Sequence, residues 1–154
     1  MSEHLIPSEI VIHASESNDG PSVQWTGTRQ WHMGTPPYGP ADGPYLDIAY
    51  HAGVELVNDH YEILMGRMWD FHGAHCKGHN GLKGQPFALG LVLIGRFMFS
   101  TPPEAQLAMA AKLIKFWMLT WSISLAKVFR HRDLNDTDCP GDAFPWEKFK
   151  NLLK

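Results

Sequence analysis

The stretch Val128-Phe-Arg-His-Arg-Asp-Leu-Asn-Asp-Thr-Asp-Cys-Pro-Gly141 constrains this chain more than any other. It reads as the exit of a short apolar strand into a polar loop that closes on Cys-Pro-Gly. His131 and Cys139 stand eight positions apart on it, so an imidazole and a thiol share one loop and can reach one zinc ion. Two donors do not make a site, because a zinc that keeps a position open for chemistry takes three protein ligands. The third must come from elsewhere, and the best candidate is His13, which ends the strand Glu9-Ile-Val-Ile-His13. On its own His13 would read as a core histidine at a strand end; His131 and Cys139 shift it toward ligation. Nine histidines in 154 residues agree with metal binding without establishing it.

The length suits one domain, 1–154, with a sizeable core and no second module. A net charge of -3 argues against a nucleic-acid surface. The longest apolar run, Leu113 to Leu125, is broken by Lys115, Thr120 and Ser122, so no membrane insertion is expected. The N-terminus has neither a basic nor an apolar segment of the kind a secretory signal needs. Synthesis in a cytoplasm is therefore expected. Cys76 and Cys139 could form a disulfide or be two buried thiols; in a reducing compartment a cysteine beside a histidine is more often a ligand or a catalyst.

Glu9 to His13, Ile48 to Val57, Tyr61 to Met65, Phe87 to Gly95 and Ser124 to Arg130 read as strands, the second and third joined as a hairpin. Asp19-Gly-Pro-Ser starts a helix with Val23, Gly27 and Trp31 at helical spacing. Thr101-Pro-Pro-Glu104 reads as a capping box. It opens a helix whose stripe, Leu107, Ala110, Ala111, Ile114, Trp117, Met118 and Trp121, is core packing. Pro145 opens a last short helix with Lys148, Lys150 and Lys154 outward, a solvated face rather than a docking patch. Strands mixed with helices give an α/β single domain with a central mixed β-sheet flanked by helices. The segment Phe71 to Gln85 carries His72, His75, His79 and Asn80 among glycines. It is either a solvated loop or the lining of a substrate groove, with His75 and Asn80 as the candidate contacts.

Six pieces in order then resemble the zinc-dependent N-acetylmuramoyl-L-alanine amidases, the family of amidase-type phage lysozymes and peptidoglycan-recognition proteins. They are the strand ending at His13, Asp47-Ile-Ala-Tyr-His51, Gly66-Arg-Met-Trp69, Gly73-Ala-His75 with Asn80, Leu91 to Gly95, and His131-Arg-Asp-Leu through Thr137-Asp-Cys-Pro-Gly141. The resemblance implies a Zn2+ held by His13, His131 and Cys139. It also implies that Tyr50 helps activate the attacking water and that Thr137 stands in the recognition-protein variant of the position two before the cysteine. Recycling amidases place an aspartate where Cys139 stands, so the cysteine leans toward the phage and recognition-protein branch.

On these residues the chain is expected to cut the lactyl-amide bond between N-acetylmuramic acid and L-alanine in peptidoglycan, as a monomeric phage endolysin acting on the cell wall. The alternatives are a cytosolic amidase that recycles muropeptides and a recognition module without activity. Tyr50 could instead be an ordinary strand tyrosine and Thr137 a loop brace. His51, next to Tyr50, is expected on the opposite face with a structural role. Cys76 is expected as a free thiol. Trp31 and His32 could line the groove, although helix packing accounts for Trp31 equally well.

Overall fold

The computed structural model describes residues 4–18 and 24–154. Five strands, β1 (Glu9–Ala14), β2 (Ala52–Val57), β3 (His60–Met65), β4 (Ala88–Leu93) and β5 (Val128–Arg130), form one mixed sheet in the order β3-β2-β4-β1-β5. β1 runs parallel to β4 on one side and to β5 on the other, while β2 and β3 make the antiparallel hairpin. Three helices, α1 (Gln24–Met33), α2 (Glu104–Trp121) and α3 (Trp146–Leu152), complete an α/β single domain. Among the described residues no helix is long and apolar enough to cross a membrane.

β1 is buried along its whole length, as a strand covered on both faces must be. Ile10, Ile12, Leu89, Leu91 and Leu93 point to one face and pack on Leu107, Ile114 and Trp117 of α2 and Phe149 of α3. Each such side chain contributes about 1.5–3 kcal/mol by leaving water. Strand alternation then sends Glu9, Val11 and His13 to the other face, which is covered by α1 and by loops rather than by a second large helix. Trp25 of α1 packs there with Val92, Ile94 and Ile48. The carboxylate of Glu55, on β2, accepts from the N–H groups of Gln24 and Trp25 and so holds the described start of α1. The helix start expected at Asp19 to Val23 lies outside the described residues.

Three local expectations fail for identifiable reasons. The strand expected from Ile48 begins only at Ala52. The buried guanidinium of Arg67 takes the Ile48 carbonyl (2.7 Å), the Asp47 carbonyl (3.4 Å) and the His72 carbonyl (2.8 Å), so the carbonyls of Asp47 and Ile48 bond to a side chain instead of to a strand. The chain bends at His51, and alternation no longer applies there. Its Nδ1 accepts from the Gly90 N–H (2.9 Å) and its Nε2 donates to the Phe71 carbonyl (2.9 Å), so its role is structural as expected but its placement is not that of a strand residue.

The capping box at Thr101 is not made: α2 starts at Glu104 behind Pro103, with no side-chain cap. A residue before proline is kept out of the helical region, so the Pro102-Pro103 pair delays the helix. Ser124 to Arg130 divides between a 3-10 turn, Leu125–Lys127, and the strand Val128–Arg130, so only its second half is in the sheet. Of the C-terminal lysines, Lys148 pairs with Glu104, Lys150 lies 5.6 Å over the Trp146 ring, and Lys154 bonds Asn151 (2.8 Å).

Candidate functional site

His13 occupies the fifth position of β1 and projects from the face that the helices α2 and α3 leave uncovered. β5 pairs with β1, so the chain leaves β5 beside His13 and enters the turn His131–Asp133. The return of Cys139 to the same place is arranged by Arg132. Its backbone N–H donates to the Cys139 carbonyl (2.9 Å), and its guanidinium holds the Asp138 carbonyl (3.1 Å from Nε) and Asp142 (2.9 Å). The outcome is that one ligand atom each from His13, His131 and Cys139 lies within 4.8 Å of the others. His13 Nδ1 is 3.8 Å from the Cys139 sulfur, and the His13 and His131 ring centroids are 4.5 Å apart.

Two imidazoles and a thiol are the donor set zinc prefers, and ideal tetrahedral bonds would put such atoms about 3.3–3.6 Å apart. The three residues fit the ion with small adjustments. Electrostatics agree. Burial, then the neighbouring His75 and His131, hold His13 well below its usual pKa, and burial does the same for His131, so both rings are neutral donors at pH 7. Burial, with Glu16 adding to it, pushes the Cys139 thiol up to about 11, against the pull of the Ala14 N–H (3.4 Å from sulfur) and Arg132. Both cysteines are free, and no disulfide competes for Cys139.

Tyr50 stands at the same centre, its ring 5.1 Å from that of His13. Burial foremost, then the nearby Cys139 and Tyr45, raises its phenol above the ordinary value, so it carries its proton at neutral pH. Thr137 accepts the Cys139 N–H at its hydroxyl oxygen (3.2 Å), which braces the loop and leaves the hydroxyl proton to donate elsewhere. Glu16, Met98 and Thr137 line a small hollow beside the sulfur.

His75 and Asn80 border an open cleft of about 730 Å3 that also touches Tyr45, Arg67, His131 and Asn135. Their side chains are engaged inside the protein. His75 is only 7% exposed, with Nδ1 3.0 Å from His13 Nε2 and Nε2 3.0 Å from the Ala88 carbonyl. Asn80 Oδ1 accepts the N–H groups of His75 (3.0 Å) and Cys76 (3.1 Å). His32 is buried and Trp31 is 51% exposed; with Tyr50, Ser15 and Thr28 they line a second hollow of about 360 Å3 on the α1 side. Asn135, absent from the sequence reading, sits 3.0 Å from His131 Nε2. Its signal was its position four after His131, within reach of a candidate ligand ring, which would need an outer partner.

The buried rings have a consequence for stability. Burial holds His51 at about 4 against an ordinary 6.5, and lowers His13, His75 and His32 as well. The unfolded chain therefore binds more protons than the folded one between these values, so stability is complete above pH 6.5 and is lost as pH falls toward 4. Denaturant unfolding of the metal-free protein is expected to show this loss, with His51 alone contributing about 3 kcal/mol. Equal stability at pH 7 and pH 4 would refute it.

Residues 4–142 match the family model described as N-acetylmuramoyl-L-alanine amidase. Peptidoglycan-recognition protein LB of Drosophila melanogaster is 34% identical over 112 residues, which are 69% of this chain and 45% of that protein. Peptidoglycan recognition protein 3 of Mus musculus is 31% identical over 113 residues, 70% of this chain and 30% of that protein. The chain thus spans less than half the length of these relatives. Among solved structures, the N-acetylmuramoyl-L-alanine amidase LysC from Clostridium intestinale superposes with a TM-score of 0.76 at 24% identity, covering 99% of this chain and 88% of that one, a likeness of fold. A mutant of the Drosophila protein LB in complex with tracheal cytotoxin superposes with a TM-score of 0.73 at 26% identity, covering 94% and 82%.

Proposed function

The chain belongs to the N-acetylmuramoyl-L-alanine amidase family, and on that premise we propose that it is a zinc-dependent amidase of peptidoglycan. The bond cut is the lactyl amide between N-acetylmuramic acid and L-alanine, and the chain works as a monomeric single catalytic domain of the endolysin type. The observation that carries this reading is the convergence of His13, His131 and Cys139 within 4.8 Å beside an open cleft. A recognition module without activity has no need of that donor set.

Zinc held there supplies Lewis-acid polarisation of the amide carbonyl and a bound water acidic enough to be deprotonated near pH 7. The protein's own groups do the rest. Tyr50 holds its proton and donates a hydrogen bond that orients the attacking water or the carbonyl oxygen. Thr137, already fixed through the Cys139 N–H, donates its hydroxyl proton to the oxygen on which charge develops. The cleft bordered by Tyr45, Arg67 and His72 seats the glycan or stem peptide on the side of His131.

The test is digestion of purified sacculi followed by mass spectrometry. Stem peptides beginning with a free L-alanine amine are expected, their release stopped by a chelator and restored by zinc. Activity confined to soluble muropeptides would replace the endolysin reading with muropeptide recycling. Binding of sacculi without release would replace both with recognition.

A further inference from the structure

We infer that the loop His72 to Asn80 is a positioning device that sets the tautomer of both histidine donors, so that His13 and His131 each turn a bare Nδ1 toward the cation. This rests on the metal reading above and deepens it. The loop acts through the side chain of one residue and the backbone of another, two residues apart.

The first line of control starts at a carbonyl. The Ala88 oxygen can only accept, so His75 Nε2, 3.0 Å away, carries the ring's proton. A neutral imidazole has one N–H, which makes His75 Nδ1 an acceptor. His13 Nε2, 3.0 Å from it, must then be the donor, and the lone pair of His13 is left on Nδ1, the nitrogen 3.8 Å from the Cys139 sulfur. His75 is buried, 7% exposed, with its ring against two glycines. A Cβ on Gly90 would come within 2.5 Å of its ring carbons, and one on Gly73 within 2.6 Å, so the two glycines form a slot that admits the imidazole and nothing between.

The second line starts at the peptide of Lys77. Its N–H donates to Asn135 Oδ1 (3.0 Å) and its carbonyl accepts from Asn135 Nδ2 (3.1 Å). This two-point pairing decides which end of the side-chain amide is the oxygen. Oδ1 so fixed accepts from His131 Nε2 at 3.0 Å, and Nδ1 of His131 is left for the ion. Asn80 ties the intervening turn by accepting the N–H groups of both His75 and Cys76. A free imidazole samples both tautomers; here the wrong one would aim an N–H at the cation. Outer partners of this kind typically govern about 10–100-fold in metal affinity.

The test uses the metal-free protein with 15N-labelled histidine, above pH 7, read by long-range proton–nitrogen correlation. His13 and His131 are both expected to show an N–H at Nε2 and a bare Nδ1. An Nδ1–H signature, or averaged shifts, at either ring would overturn the inference. In His75→Ala, His13 is expected to lose its fixed tautomer while His131 keeps its own, and zinc should dissociate about 10–100-fold more readily. His75→Gln, whose amide offers an acceptor and a donor, should restore the His13 signature. Asn135→Ala should release His131 alone, and Asn135→Asp, which keeps the acceptor, should not. Variants that leave both signatures unchanged would reduce the loop to scaffolding. Because the tautomers are read without metal, a parent protein that shows them but takes up no zinc would overturn the metal reading and leave this one standing.

Discussion

Replacing Cys139 with serine is expected to remove zinc and hydrolysis of sacculi together. The sulfur lies within 4.8 Å of a ring nitrogen of each imidazole, 3.8 Å from His13 Nδ1, and receives the Ala14 N–H. Burial keeps its thiol protonated, at about 11, so a cation must displace that proton to bind. A thiol can be made to yield it; a serine hydroxyl is a far weaker acid and a poor soft ligand. Since even an outer partner is worth about 10–100-fold in affinity, the loss of a direct donor should exceed about 100-fold. Uptake also releases a proton, so apparent affinity should fall about tenfold for each unit the pH is lowered through the neutral range. Metal analysis beside peptide release from sacculi checks the first claim, and zinc titration at two pH values the second. A serine variant that keeps one zinc per chain would mean that the third donor is another residue.

Tyr50→Phe should behave in the opposite way: zinc retained, turnover down by about 100-fold or more. The substitution removes one hydroxyl and leaves a ring of the same shape, packed 5.1 Å from His13 and 5.5 Å from His32. Neither the donor atoms nor their spacing depends on that oxygen. With the phenol raised by burial and by Cys139, Tyr50 gives a hydrogen bond rather than taking a proton, and the rate should show no ionisation attributable to it below pH 9 or so. Zinc content and kcat measured on one preparation decide the matter. A phenylalanine variant as fast as the parent would strip Tyr50 of any part in the reaction.

What the sequence made legible follows the range of the forces involved. β1, β4 and α2 were readable because a continuous apolar run and a three-and-four stripe are local records of burial on both sides or on one. The three-donor centre was readable for a different reason. Zinc chemistry limits the residue types so narrowly that a histidine and a cysteine on one loop demand a third partner. The false strand at Ile48 to His51 shows the limit, because the carbonyls of Asp47 and Ile48, where it was to begin, are claimed by Arg67, a residue far along the chain that no local pattern announces. His75 shows it again. Set among glycines, it had the look of a groove residue, yet one of the two glycines that shape its slot lies on β4, and only the fold brings it near. Asn135 was missed because its one trace in the sequence, a place four after His131, identifies a partner only once the turn carrying both is known.

The central position of β1 has a consequence in time. Glu9–Ala14 is made first, but its hydrogen-bonding neighbours, Ala88–Leu93 and Val128–Arg130, are made much later. An early strand with two late partners cannot settle until both have left the ribosome, and such distant pairing is the slow part of folding. His13 and Cys139, separated by 126 residues, meet only at that last step. Nascent or prematurely terminated chains would therefore hold scattered donors and no centre, and the three side chains would come together only with the finished sheet.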